Sequence, residues 1–123
     1  MVKAIPEAYN PRKSREGAAG YDLYTFQEIN LLPKQWTRVD SGIEVCIPYG
    51  YCGLICAQSN IKVLKEEKFV LYDHIDAGRK TRLNIYVYNR SDHDMVISSG
   101  ESIARLIVVK TLPQDSPKLR LDW

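Results

Sequence analysis

Tyr72-Asp73-His74-Ile75-Asp76-Ala77-Gly78-Arg79-Lys80-Thr81-Arg82-Leu83-Asn84-Ile85-Tyr86-Val87-Tyr88-Asn89 joins a charged loop to the cleanest strand pattern in the chain. Leu83, Ile85 and Val87 alternate with Asn84, Tyr86 and Tyr88. On an extended backbone successive side chains point to opposite faces, so one face suits burial and the other suits water or a second subunit. Just ahead, Asp73, His74 and Asp76 crowd around an Ala77-Gly78 turn, with Arg79, Lys80 and Arg82 beyond it. Both charge signs meet at one loop tip, which marks either a chemical site or the remnant of one.

Working outward, Phe69-Val70-Leu71-Tyr72 is rich in strand formers, and Ile61 to Lys68 is the one stretch with near-helical spacing. It lasts barely two turns, so it reads as one short helix or a loop. Ile43, Val45 and Ile47 alternate with Glu44 and Cys46 up to Pro48. Pro48-Tyr49-Gly50-Tyr51 then turns the chain into Cys52-Gly53-Leu54-Ile55-Cys56-Ala57, which predicts a hairpin leading to Gln58-Ser59-Asn60. Ser41-Gly42 punctuates the run before it, and a turn at Pro33-Lys34-Gln35 separates Ile29–Leu32 from Trp36–Val39. Residues 1–16 predict a short edge strand followed by a polar loop through Pro6 and Pro11. Downstream, Met95-Val96-Ile97 and Ile103–Val109 are strands, and the tail from Thr111 carries Pro113, Pro117 and no periodicity. About nine or ten short strands with Gly and Pro turns and little helix predict an all-β sandwich, jelly roll or barrel over residues 1–112, with 113–123 as a tail.

A chain of 123 residues suits one domain, and 45% hydrophobic with 26% charged residues is an ordinary globular balance. No apolar run approaches the roughly 20 residues of a spanning helix, and the N-terminus lacks the apolar core of a signal peptide. The expectation is a protein that is not secreted and works in the cytoplasm or nucleus, away from membranes. The net charge of +2, from 17 basic and 15 acidic residues, is too balanced for a general nucleic-acid binder, so anion binding should be local. Cys46, Cys52 and Cys56 contain no C-x-x-C pair. They read as reduced thiols packed like small apolar groups rather than as a disulfide framework or zinc ribbon.

Four segments, in order, resemble the motifs of the trimeric dUTPase family. Ala19-Gly20-Tyr21-Asp22-Leu23 is similar to the first, and Pro48-Tyr49-Gly50-Tyr51-Cys52-Gly53 through Gln58-Ser59 to the second. Ile75-Asp76 followed by Leu83 to Asn89 resembles the third, and Gly100-Glu101-Ser102-Ile103-Ala104-Arg105-Leu106-Ile107 the fourth. Together they span about residues 17–109. The resemblance implies a jelly-roll-like β-barrel of short, mostly antiparallel strands. It also implies a homotrimer with sites between subunits, and cleavage of dUTP to dUMP and pyrophosphate with magnesium on the phosphates. By position it makes Asp76 the acid that activates water, Ser59 a phosphate contact, and Asp22 a residue near the metal's outer shell.

The remaining positions depart from the pattern. Gln58 replaces the basic residue before the serine, Arg79 the tyrosine that packs on deoxyribose, and Thr81 and Arg82 the glycine and glutamate after it. Arg105 replaces the fourth motif's glutamine, and no Gly-rich fifth motif appears in 111–123. Gln58, Ser59, Arg79 and Arg105 are therefore the candidate phosphate or nucleoside contacts, and Arg79, Lys80, Arg82 and Arg105 would have to rebuild the lost clamp. One lost preorganised contact typically removes about 3 kcal/mol of transition-state stabilisation, and several are altered together. The resemblance thus implies a barrel with impaired or lost catalysis, kept as a protein-interaction module. The alternative is a working dUTP diphosphatase, or an altered nucleotide pyrophosphohydrolase, using magnesium and Asp76. Without turnover no cofactor is needed.

The short length, Ala77-Gly78-Arg79-Lys80 and the missing fifth motif also resemble the dUTPase-derived early-region proteins of adenoviruses, which bind host proteins. The retained first motif and Asp76 point back toward true dUTPases, and Leu121-Asp122-Trp123 does not match the PDZ-binding tail of those viral proteins. Plainer readings stand beside these: Asp76 as a turn former, Asp73-His74-Ile75-Asp76 as a solvated loop rather than a metal site, Ser59 as a strand-end cap, and Tyr86 and Tyr88 as interface residues.

Overall fold

A computed structural model describes residues 2–13, 20–56 and 68–112. Ten strands run through them: β1 (Val2–Ala4), β2 (Tyr21–Tyr24), β3 (Ile29–Leu31), β4 (Gln35–Cys46), β5 (Tyr51–Cys56), β6 (Lys68–Val70), β7 (Asp73–Ile75), β8 (Lys80–Asn89), β9 (Met95–Ile97) and β10 (Ser102–Lys110). They form a sheet ordered β1-β4-β8-β6, a second ordered β2-β10-β5-β7, and a two-stranded β3-β9 ribbon. The strand pairings are antiparallel, and the described residues contain no helix. Of the stretch Ile61 to Lys68 that predicts a short helix or loop, 61–67 lie outside the described residues, as do Gln58, Ser59 and the tail 113–123, while Lys68 instead opens strand β6.

The alternation of residues 83–88 appears as predicted. Leu83, Ile85 and Val87 are buried while Tyr86 on the other face is 38% exposed. They meet Val39, Ile43 and Val45 of β4, Ile55 of β5 and Leu106 of β10 in one core. Fully burying such a side chain contributes about 1.5–3 kcal/mol, so this face of β8 adds to the cohesion of the barrel. Asn89, fully buried at the end of β8, donates from Nδ2 to the carbonyls of Leu31 and His93, both at 2.9 Å. Its Oδ1 accepts the Ser91 N–H at 3.0 Å. A buried amide is tolerated because its polar atoms are used, and here it ties β8 to the β3 end and to the 91–93 turn.

Three expectations need correction. The hairpin expected over 43–57 does not form in the described part, 43–56: Tyr51 N–H does close a turn on the Pro48 carbonyl at 3.2 Å, but β5 joins the opposite sheet. The reason is that both edges of β4 are taken, by β1 and by β8. Ser41-Gly42 does not end a strand either, because β4 runs through it with a register shift between Asp40 and Glu44. Gly42 adopts φ +74°, and a Cβ there would lie 2.6 Å from Ala8 Cβ, so this bulge requires glycine. Finally, Asp73-His74-Ile75 is a strand rather than a loop, paired with Ile55, Leu54 and Gly53 and anchored by buried Ile75.

Candidate functional site

Asp76 follows β7 and is exposed, at the start of the Ala77-Gly78 turn. Gly78 has φ +89°, and its N–H donates to the Ile47 carbonyl at 2.9 Å. A Cβ on Gly78 would stand 2.5–2.8 Å from atoms of the Tyr49 ring. The second-motif turn and the third-motif turn are thereby docked on each other, with Ala77 packed on the core. Arg79 and Lys80 extend from this turn, both exposed. Both side chains stand open to solvent, where an anion can reach them.

Arg82 does not join them. Its Nε and NH2 each donate to an Asp40 oxygen at 2.8 Å, a bidentate pair, and the Gly42 N–H donates to the same Asp40 Oδ1 at 2.8 Å. The bulge at 40–44 aims Asp40 across to β8. The Arg82 hydrogen bond is the main reason the Asp40 carboxyl is held below its ordinary range; partial burial opposes it, while the Gly42 N–H and the charges of Arg82 and Arg38 assist. The same bond raises Arg82. Both side chains are about 40% exposed, so the pair contributes no more than about 1 kcal/mol.

Arg105 is also engaged. It is the register partner of Asp22 across β10 and β2, and its Nε donates to Asp22 Oδ1 at 3.3 Å. On its other side lies Cys56 of β5, whose thiol is pushed up by burial, with the Arg105 charge working against that shift. The structure therefore brings together two predicted site residues, Asp22 and Arg105, but binds them to each other.

Asp22 and Asp76 are not brought together. Asp22 lies on β2 and Asp76 follows β7, the two edge strands of one sheet, three strand spacings apart. At 4.7–4.9 Å per spacing this is about 14 Å, too far to share one magnesium-bound phosphate within a single copy. Gln58 and Ser59 lie outside the described residues. The donors present do not fit a magnesium ion held through Asp22: a guanidinium occupies its Oδ1, and among the described residues no three His, Cys, Asp or Glu side chains gather to hold a metal. Asp73 Oδ1 instead accepts the His74 N–H at 2.8 Å, a local strand contact.

Sequence reasoning missed Asp40 and Tyr49. Asp-Ser-Gly inside a strand pattern is a bulge signal that could have flagged the first; nothing local marked the second. A cavity of about 560 Å³ among the described residues lies elsewhere, against Val2, Pro11, Tyr21, Ile47, Pro48 and Val108, and none of Asp22, Asp76, Arg79 or Arg105 lines it. Its lining is mostly apolar, without the charges a triphosphate requires, so the chemistry of the motif positions and not cavity size identifies the candidate site.

The dUTPase family model matches residues 7–121. The deoxyuridine 5'-triphosphate nucleotidohydrolase of Paramecium bursaria Chlorella virus 1 is 30% identical over 115 residues, 94% of this chain and 81% of that relative. The enzyme of the same name from Avian adenovirus 8 is 29% identical, over 92% of this chain and 69% of its own length. A mutant dUTPase from phage phi11 of S. aureus, described with a structural Mg(II) ion, superposes with a TM-score of 0.84 at 21% identity, covering 100% of this chain and 97% of that one. At that identity the likeness is one of fold, and it confirms the all-β, jelly-roll expectation.

Proposed function

The chain belongs to the dUTPase family, and from that premise we propose that it has kept the family's barrel while hydrolysis of dUTP to dUMP and pyrophosphate is impaired or lost, the barrel serving as a protein-interaction module. One observation carries the reading. Two of the four cations that would have to rebuild the phosphate clamp are already neutralised by this chain's own carboxylates, Arg82 by Asp40 and Arg105 by Asp22. Charge must be neutralised on the phosphates as the bond breaks, and a guanidinium held by an aspartate has little to offer there. Arg79 stands where the sugar would need a flat apolar floor, and a guanidinium brings its own charge and water instead. A viral origin fits this reading, since two of the relatives above are viral.

The assembly we propose is a homotrimer, since about 14 Å separates Asp22 from Asp76 in one copy and a complete site needs a second. Light scattering that reports a monomer at micromolar concentration would contradict it. For catalysis, the full-length chain is incubated with dUTP and magnesium and pyrophosphate is measured. The expected result is release at background level, the same for native protein and Asp76→Asn. Robust release that D76N abolishes would overturn the proposal.

A second reading is favoured by one feature: Asp76 is retained and exposed beside Arg79 and Lys80, where a bound nucleotide could meet an acid able to activate water. It makes the chain a dUTP diphosphatase or an altered nucleotide pyrophosphohydrolase. Calorimetry against a panel of nucleoside triphosphates tests it, and failure of all of them to bind rules it out.

A further inference from the structure

Asp22 and Arg105 form a pair built into the sheet rather than one resting on its surface. The side chain of Asp22 is 6% exposed and that of Arg105 is 15% exposed. Their Cα atoms face each other in the ladder between β2 and β10, so the strand register itself delivers Nε to Oδ1. Asp22 is pinned from its other edge as well. Its N–H donates to the Arg12 carbonyl at 2.6 Å and its carbonyl accepts the Arg12 N–H at 3.2 Å.

Gly20 supplies the room. A Cβ at that position would lie 2.5 Å from the Leu106 carbonyl oxygen and 2.9 Å from Arg105 Cγ. The stem of Arg105 therefore runs through space that only a glycine leaves open.

We infer that the Asp22–Arg105 pair closes this position to magnesium, with the guanidinium as the resident cation. Magnesium keeps most of its waters and is drawn to carboxylate or phosphate oxygens that still carry their charge. Asp22 presents an oxygen already in a charge-assisted bond, next to a fixed positive charge that repels a second cation wherever the surroundings are partly dry. This concerns where a metal can sit and is independent of the loss of turnover proposed above. Turnover of dUTP would defeat that proposal and leave this one to its own test.

The test uses the full-length chain with a non-hydrolysable α,β-imido analogue of dUTP and Mn²⁺ as a paramagnetic stand-in for magnesium, read by broadening of the backbone amide signals of Tyr21, Asp22 and Leu23. In the native protein these signals are expected to stay sharp. In Arg105→Gln, where the side chain still donates to Asp22 but carries no charge, they are expected to be lost to broadening. Arg105→Lys keeps the cation and should stay sharp, which separates charge from packing; signal dispersion in the same spectra shows that each variant is folded. Broadening in the native protein or in R105K, or an R105Q spectrum as undisturbed as the native one, overturns the inference.

Discussion

Arg82 and Arg105 both stand at altered motif positions, and each meets an aspartate across a strand pair, yet the two pairs sit in opposite surroundings. Arg82 and Asp40 lie on the outer face of the β1-β4-β8-β6 sheet, doubly hydrogen-bonded but about 40% exposed. Arg105 and Asp22 lie in the second sheet with a single, longer bond and almost no exposure. Geometry alone would rank the first pair as the stronger. Solvent reverses the ranking: an exposed pair is screened and yields at most about 1 kcal/mol, whereas separating a buried pair strands a charge away from water. The exposed pair can therefore change with little consequence, while the buried one governs both the fold and the access of a metal.

Arg105→Ala should show this most clearly. Removal of the guanidinium leaves the Asp22 carboxylate buried without its partner, at a cost of about 3–5 kcal/mol. Urea unfolding followed by tryptophan fluorescence should show a markedly lower midpoint. A loss no larger than that of an exposed pair would mean that water reaches Asp22, and the contrast between the two pairs would collapse.

Gly42→Ala comes next, since it attacks the exposed pair through the backbone that aims Asp40. The alanine methyl would meet Ala8 Cβ at 2.6 Å with φ held at +74°, a strain of about 1–3 kcal/mol. The drop in thermal midpoint should exceed that of Arg82→Ala, whose loss is expected to be about 0.5 kcal/mol. If the order were reversed, charge and not backbone would be the main contribution of the bulge.

The two pairs also show what the sequence displays and what it hides. The alternation of Leu83, Ile85 and Val87 is legible because a strand's period of two is written in consecutive residues. The sheet to which β5 belongs is not, because it depends on β1 and β8 having taken both edges of β4, and those strands lie far away in the chain. Motif resemblance located Asp22 and Arg105 singly and gave one to a metal and the other to phosphate. Only the register between β2 and β10, joining residues 83 apart, shows that they hold each other. Asp40 and Arg82, 42 residues apart, were hidden in the same way. Side-chain identity is local information, whereas pairing across a ladder is not.

The smallest expected effect is the pH dependence of the exposed pair. Asp40 ionises more readily in the folded chain than in the unfolded one, chiefly because Arg82 donates to its carboxylate. A carboxyl lowered by folding contributes stability that is fully present above its unfolded pKa. That stability is lost as pH falls through the ordinary aspartate range near about 4 toward the lower folded value. The gap in unfolding free energy between native protein and R82A should therefore be full at about pH 7 and closing by about pH 3. Because the side chains are exposed, the gap should stay within a few tenths of a kcal/mol of its small starting value, and added salt should narrow it further at neutral pH. Urea titrations of both proteins at the two pH values measure it. A gap that persists at low pH and high salt would mean that Arg82 acts through the packing of its stem rather than through its charge. The Asp40 carboxylate would then be available to another cation, and the exposed pair could no longer be counted among the reasons the clamp was not rebuilt.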